Sequence, residues 1–290
     1  MRGWSSLAAG AMLLTGFVVL FGKVAAGLVG AWATDGNYSH GFLVVPVALY
    51  FMWERRRRFT SAPAQPSVAG LIVVLGSIGV LAAGLLGSEL FLTRISMLGA
   101  LTGVIAFLHG WRRVNALAFP LGLLLLMIPI PAIVFNQVAL PLQLLASQVG
   151  EFVLAAFAIP VLREGNVLVL ATTSLEVAEA CSGIRSLVSL LFLGIMLGYF
   201  SDPRAWTRTL ITLSTVPVAI LTNGLRVAGT GIAANQFGPA AAEGLVHTLS
   251  GWLVFVAACG LILSFARLLV RLAPPVPPDR ARSADVGPPC

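Results

Sequence analysis

Cys181 lies in the segment EVAEACSGIRSL, residues 176–187, where a strand-like run gives way to an apolar helix. The thiolate is the nucleophilic form of cysteine, and a helix amino terminus with a nearby cation lowers the pKa of a thiol below its usual value of about 8.5. Ser182 and Gly183 allow a tight turn into the helix, whose first amides remain able to donate to an oxyanion. With Arg185 one turn into the helix, this segment favours a cysteine nucleophile.

Two further motifs carry the residue types that would complete such a site. Asn223 and Arg226 lie in the run LTNGLRVAGTG, and His247 lies in EGLVHTLSGW. A cysteine nucleophile needs a base for its proton and a donor for the developing oxyanion, roles that histidine and arginine can fill. His40, in NYSHGF beside Tyr38, is an alternative base, and the sequence gives no distance with which to choose between the two histidines.

The same residues also have plain structural interpretations. Arg226 would serve as a snorkelling arginine near a helix end, and His247 as a helix cap. Arg185 would pair with Glu179 or Glu176, and the glutamates would otherwise only solvate the loop. The asparagine and the small residues around Arg226 argue against an ordinary membrane anchor.

The cysteine count restricts the chemistry to one thiol. Cys181, Cys259 and Cys290 are too few and too scattered for a disulfide framework or a zinc site. Cys259, with alanine and glycine neighbours in an apolar run, is expected to pack within a helix, and Cys290 belongs to the tail. We therefore expect no metal and no other cofactor.

The composition indicates which elements position these motifs. Of the 290 residues, 58% are hydrophobic and 10% are charged, whereas an average soluble domain has roughly 25% charged residues. This predicts a polytopic membrane protein in contact with lipid. The net charge of +7 does not indicate nucleic-acid binding, because Lys23 is the only lysine and the arginines form small clusters between apolar runs.

The apolar runs predict an all-α membrane domain over residues 1–272. With about 17 to 25 apolar residues per crossing, we expect about eight transmembrane helices, at residues 6–30, 38–53, 68–87, 91–108, 114–130, 183–200, 209–227 and 247–269. The first is interpreted as a retained span, because no clear signal-peptide cleavage site follows it. The proline-rich segment 273–290 is predicted to be a disordered cytoplasmic tail.

The arginines predict the orientation of these spans, because basic residues accumulate in cytoplasmic loops. With the amino terminus inside, thirteen of the 18 positive residues face the cytoplasm. These are Arg2, Arg55, Arg56, Arg57, Arg58, Arg112, Arg113, Arg204, Arg208, Arg267, Arg271, Arg280 and Arg282. Arg163, Arg185 and Arg226 fall on the outer side. Because basic residues are less common there, each of these arginines calls for a structural or functional explanation. Cys181, His247 and the NYSHGF motif fall on the same outer face.

The longest segment predicted outside the cytoplasm is residues 131–180. Its first half, NQVALPLQLLASQVGEFVLAAF, is amphipathic and is expected to lie in the membrane interface or to dip into the bilayer. Its second half, NVLVLATTSLEVAEA, alternates partly around a Thr-Thr-Ser turn and predicts a short hairpin before the cysteine.

In order and placement, these motifs resemble the exosortase/archaeosortase family of multi-span membrane transpeptidases. ACSGIRS, NGLRVAGTG and the histidine of VHTLSGW resemble its cysteine, arginine and histidine signatures, and YSHGFLVVP resembles its amino-terminal block. The resemblance covers roughly residues 37–271. It implies Cys181 as nucleophile, Arg226 as electrostatic partner and His247 as general base or acid, in a stand-alone enzyme of the bacterial inner membrane whose active site faces the periplasm.

The resemblance also implies a substrate class. Members of the family act on exported proteins with a carboxyl-terminal Pro-Glu-Pro-type motif, a hydrophobic helix and a basic end. They are thought to cleave near the motif and to pass the new carboxyl end to an acceptor, which the sequence does not identify. The alternative from another class is a transporter or scaffold for polysaccharide or lipid export, which should carry polar residues at the membrane midplane. A thiol oxidoreductase is disfavoured, because no second cysteine is predicted outside.

Overall fold

A computed structural model describes residues 2–171, 173–177, 184–238 and 244–273. Residues 2–7, 9, 184–185 and 244–248 are described by their backbone alone. The chain divides into two compact units, Met1–Pro131 and Ala132–Cys290, called here the amino-terminal and the carboxyl-terminal unit. The predicted tail lies outside the described residues from position 274 onward.

The amino-terminal unit is built from helices. In chain order they are α1 (Arg2–Thr34), α2 (Gly41–Glu54), α3 (Arg56–Ser61), α4 (Val68–Leu86), α5 (Leu90–His109), α6 (Trp111–Ala116) and α7 (Ala118–Leu123), followed by a 3-10 helix (Leu124–Met127). Glycines bring α4 and α5 into close contact. A Cβ atom at Gly84 would lie 2.9 Å from the backbone nitrogen of Thr93, and one at Gly103 would lie 2.9 Å from that of Val74. Such small residues are what close packing of membrane helices requires.

The helix predicted over residues 114–130 is divided into shorter pieces. Leu117 separates α6 from α7, and 3-10 geometry follows from Leu124 to Met127. Pro120 has no N–H with which to continue α6 into α7, and Pro129 disfavours helical geometry in the residue before it. The prediction of one long span here was therefore wrong.

The carboxyl-terminal unit combines helices with a small sheet. Its elements are α8 (Ala132–Ala156), β1 (Val161–Glu164), β2 (Val167–Leu170), β3 (Ser174–Glu176), α9 (Ile184–Ser201), α10 (Ala205–Phe237) and α11 (Gly244–Leu272). The three strands pair antiparallel in the order β1-β2-β3. The expected hairpin around the Thr-Thr-Ser turn is confirmed as β2 and β3. The sequence reasoning missed β1, which joins β2 through Gly165 at a φ of 65°, a conformation that favours glycine.

The sheet packs against α8 and α10 in one apolar cluster. Leu154, Leu168, Val177 and Val227 are buried members of this cluster. α8 and α10 approach closely at glycines: a Cβ at Gly150 would lie 2.9 Å from Val227, and one at Gly231 would lie 3.0 Å from Leu154. Since these contacts advance in the same direction along both helices, α8 and α10 run parallel where they touch.

A second apolar cluster joins α9, α10 and α11. Leu190, Ile211, Ala258 and Ile262 are its buried centre, and Cys259 packs against it. This is the structural role expected for that cysteine.

Six described helices are long and apolar enough to cross a membrane. They are α1 from Gly10, α4, α5, α8, α10 and α11 from Leu249. The helix α2, the segment Ala118–Met127 and most of α9 are shorter apolar helices. The predicted all-α polytopic class is confirmed, whereas the count of eight stays a prediction. α8 has the length and composition of a span, although its sequence pattern predicted an interfacial helix.

Candidate active site

Arg226 and Asn223 lie one turn apart on the same face of α10. Asn223 is buried and Arg226 is half-buried, so the guanidinium is carried into the unit by the helix and is not extended into solvent. Val227, the next residue along α10, belongs to the buried cluster that packs against the sheet. The packing of Val227 in this cluster thereby fixes the position of the neighbouring Arg226 relative to the sheet.

The guanidinium of Arg226 lies against α11 at Gly251. A Cβ atom at Gly251 would be 3.4 Å from Nη2 and 3.5 Å from Cζ of Arg226. A larger side chain at that position would occupy the space of the guanidinium. Gly251 is therefore the residue that makes room for Arg226 between the two helices.

His247 is placed by the same helix. It lies in α11, four residues and about one turn before Gly251, so the two positions share a helix face. Gly251 is the position that contacts Arg226. The backbone therefore brings the predicted histidine to the side of α11 that meets Arg226, and the His247 side chain lies outside the described residues.

Cys181 lies outside the described residues, together with Glu179, Ser182 and Gly183. The segments that flank Cys181 are fixed by hydrogen bonds on one side and by helical structure on the other. Val177, only 1% exposed, exchanges hydrogen bonds with Asn166: its amide donates to the Asn166 carbonyl oxygen at 2.9 Å, and Asn166 Nδ2 donates to the Val177 carbonyl oxygen at 3.3 Å. On the other side, α9 begins at Ile184 and carries the backbone of Arg185 in its first turn.

Polar contacts fix the sheet that precedes the cysteine. Arg163 Nε donates to Glu151 Oε2 at 2.7 Å, and Arg163 Nη1 donates to the carbonyl oxygen of Gly165 at 3.2 Å. Ser147 Oγ donates to the same carbonyl at 3.0 Å. One of the three arginines predicted on the outer side thus has a structural reason: it ties β1 to α8. The sequence reasoning did not identify Glu151 as its partner.

His40 and Tyr38 belong to the amino-terminal unit, at the turn between α1 and α2. His40 Nε2 lies 3.0 Å from the carbonyl oxygen of Leu126, so the ring donates from Nε2 and keeps Nδ1 as an acceptor when neutral. Tyr38 is 8% exposed. Burial raises the pKa of its phenol and nearby Asp35 adds to this, while the Ile130 backbone and the charge of Arg94 oppose it. The contact of His40 orients the ring towards the 3-10 helix.

Among the described residues, no cluster of three or more histidine, cysteine, aspartate or glutamate side chains could hold a metal ion. Separately, Arg226 and Asn223 on α10 supply guanidinium and amide donors. These donors suit the stabilisation of negative charge.

The family model of the transmembrane exosortases (Exosortase_EpsH) matches residues 32–264. Neither the curated proteins nor the solved structures contain a match to this chain. The matched segment is well over half of the 290 residues and includes the cysteine, arginine and histidine motifs together with the NYSHGF motif. The chain therefore belongs to the transmembrane exosortase family.

Proposed function

We propose that this protein is a membrane-embedded cysteine transpeptidase. It cleaves the carboxyl-terminal sorting signal of exported proteins, a Pro-Glu-Pro-type motif followed by a hydrophobic helix and a basic end, and transfers the cleaved protein to an acceptor. Membership in the exosortase family supports this class of reaction in general. The motifs supply the residues: Cys181 as nucleophile, Arg226 for the oxyanion and His247 for the protons.

One observation carries the assignment of roles. The Arg226 guanidinium packs at Gly251, so Arg226 of α10 contacts the helix that carries His247 at a position one helical turn from that histidine. An arginine that only anchored α10 in the lipid interface would have no reason to be half-buried against a neighbouring helix. An arginine that stabilises developing charge would need such a fixed position.

The covalent geometry of the chain limits where Cys181 can lie. Cys181 is four residues beyond Val177, and an extended chain spans at most about 3.6 Å per residue, or about 14 Å in all. Val177 belongs to the same buried cluster as Val227, the neighbour of Arg226. The thiol is therefore tethered to the part of α10 that carries the guanidinium, which supports the pairing of the two residues in one site.

The reaction has two halves. In the first, the Cys181 sulfur attacks the scissile carbonyl carbon and its proton passes to His247; Arg226 and first-turn amides of α9 stabilise the oxyanion. Collapse breaks the C–N bond, His247 protonates the leaving amine, and a thioester remains on Cys181. In the second half, an amine of the acceptor, or water, attacks the thioester, gives its proton to His247 and releases the thiolate.

The membrane setting would supply much of the rate. We place the site at the periplasmic face of the bacterial inner membrane, in line with the arginine distribution. A substrate held by its own transmembrane helix presents the peptide bond just outside the bilayer, so the nucleophile must lie at that depth. Positioning of the reacting groups contributes roughly 7 to 11 kcal/mol in well-oriented reactions.

Co-expression with a substrate that carries such a tripartite tail tests the proposal. We expect shortening of the substrate in the wild type and none in Cys181→Ala or Cys181→Ser, at equal amounts of membrane-inserted protein. Cys259→Ala is the matched control, since this thiol packs among helices, and it should process normally. Processing by Cys181→Ala at the wild-type rate would refute the proposed function.

A further inference from the structure

Arg94 is a buried cation within an apolar span of the amino-terminal unit. It lies in the first half of α5, one of the helices long enough to cross a membrane, and is only 7% exposed. It makes no hydrogen bond and no ion pair with any residue that the structure describes. Burial of an uncompensated guanidinium is costly, and ionisable residues within membrane spans generally have a function.

The polar side chains near it in α5 are engaged elsewhere. Thr93 Oγ1 donates to the Leu90 carbonyl oxygen and Ser96 Oγ donates to the Thr93 carbonyl oxygen, each at 2.8 Å. The carboxylate of Glu89 accepts from the amide of Phe91 at 3.3 Å and caps the helix. The sequence around Arg94 therefore provides no counter-ion for it.

The turn between α1 and α2 does not provide one either. Tyr38 lies close enough for its charge to interact with that of Arg94, but burial raises the pKa of the phenol, so Tyr38 stays neutral at pH 7. Asp35 Oδ1 accepts from the Asn37 amide at 2.8 Å, and no ion pair joins Asp35 to Arg94. Among the described residues, neither Tyr38 nor Asp35 therefore forms an ion pair with Arg94.

A carboxylate fits this environment better than a phosphate does. The guanidinium presents a planar fork of donors that matches the two oxygens of a carboxylate, and one charge balances one charge. A phosphate offers three acceptor oxygens and up to two negative charges, which call for several cations. Arg94 is the only basic residue between Val68 and Phe107, so it stands alone on α4 and most of α5.

We infer that Arg94 forms a carboxylate-binding site in the amino-terminal unit, and that its ligand is an acidic side chain of the polypeptide substrate. The choice of ligand rests on the proposed function, whereas the need for an anion rests on the burial of Arg94 alone. Bound there, the carboxylate neutralises the buried charge and makes acidic substrates bind more tightly than their amide analogues.

Peptide binding to the full chain in nanodiscs tests this inference without turnover. The probe is a fluorescent peptide with one glutamate between two prolines, compared with the same peptide carrying glutamine, and the protein carries Cys181→Ala to prevent reaction. A charge-assisted hydrogen-bond pair predicts about 10- to 100-fold tighter binding of the glutamate peptide. Arg94→Gln should abolish this preference. Arg112→Gln, at an exposed arginine of α6, is the matched control and should keep it.

Two outcomes overturn the inference. The inference is overturned if the Cys181→Ala protein binds the glutamate and glutamine peptides equally, and this holds even if Arg94→Gln fails to fold. A glutamate preference that survives in folded Arg94→Gln overturns it as well. If the wild type does not shorten the tripartite-tail substrate while the glutamate preference at Arg94 holds, the proposed function fails and the binding site stands, so the two failures are distinguishable.

Discussion

The Nη2 atom of Arg226 lies 3.4 Å from the position that a Cβ atom would take at Gly251. This contact joins α10 to α11 and sets the distance between the guanidinium and the turn that carries His247. Alanine at position 251 would just touch the guanidinium, whereas a branched side chain would displace it. The contact therefore offers a way to move Arg226 without changing its chemistry.

Gly251→Val is expected to lower substrate processing by about 100-fold, the cost of losing one oxyanion donor. Gly251→Ala should stay within a few fold of the wild type. The measurement is the initial rate of substrate shortening at matched protein levels. Gly260→Val is the control on the same helix, because nothing lies within 4 Å of a Cβ there. Equal loss in Gly251→Val and Gly260→Val would point to a general defect of α11 and against a role for the Arg226 contact.

Arg226→Lys separates the shape of the guanidinium from its charge. If Arg226 holds the oxyanion, lysine should lose most of the activity and alanine about 100- to 1,000-fold. If it instead lowers the pKa of the Cys181 thiol, Arg226→Lys should stay nearly active. Arg226→Ala should then recover as the pH rises, because more thiolate forms without help. Processing rate and Cys181 alkylation rate, each measured against pH, distinguish these two roles. Wild-type rates in Arg226→Ala at every pH would exclude it from the site.

The two histidines should respond differently to removal. His247→Ala is expected to abolish most processing, since it removes the proposed proton carrier. His40→Ala should lower stability by about 1 kcal/mol through the lost contact with the Leu126 carbonyl, with a smaller effect on processing. Processing assays and thermal unfolding of both variants test this. The reverse order of the processing defects would assign the base to His40.

Topology reporters test the predicted orientation. Fusions after Arg58, Arg113, Arg208 and Arg271 should report cytoplasm, and those after Asp35, Thr172 and Gly238 should report the outside. A fusion after Pro131 adds a test of α8, which has the length of a span and runs parallel to α10 where they touch. If α8 crosses the membrane, the fusions after Pro131 and Thr172 should report opposite sides. A cytoplasmic signal from Thr172 would contradict the placement of the cysteine motif at the outer face.

The sequence by itself determined the membrane class, most of the long helices and the site motifs. The apolar runs of α4, α5, α10 and α11 are local properties of the chain, because each span must satisfy its own backbone hydrogen bonds in lipid. The hairpin of β2 and β3 could be predicted from the sequence for a similar reason, because β-branched residues on both sides of a polar turn are a local pattern. Family motifs then selected Cys181, Arg226 and His247.

Tertiary structure decided how these local elements meet. Arg163 of β1 forms an ion pair with Glu151 of α8, and β1 pairs with β2. The Arg226 guanidinium packs against Gly251 of α11. None of these pairings follows from periodicity, because they depend on which helix faces are opposed and on the rotation of each helix about its axis. The burial of Arg94 has the same origin: the sequence placed it in a span, and only the packing of α5 enclosed its charge.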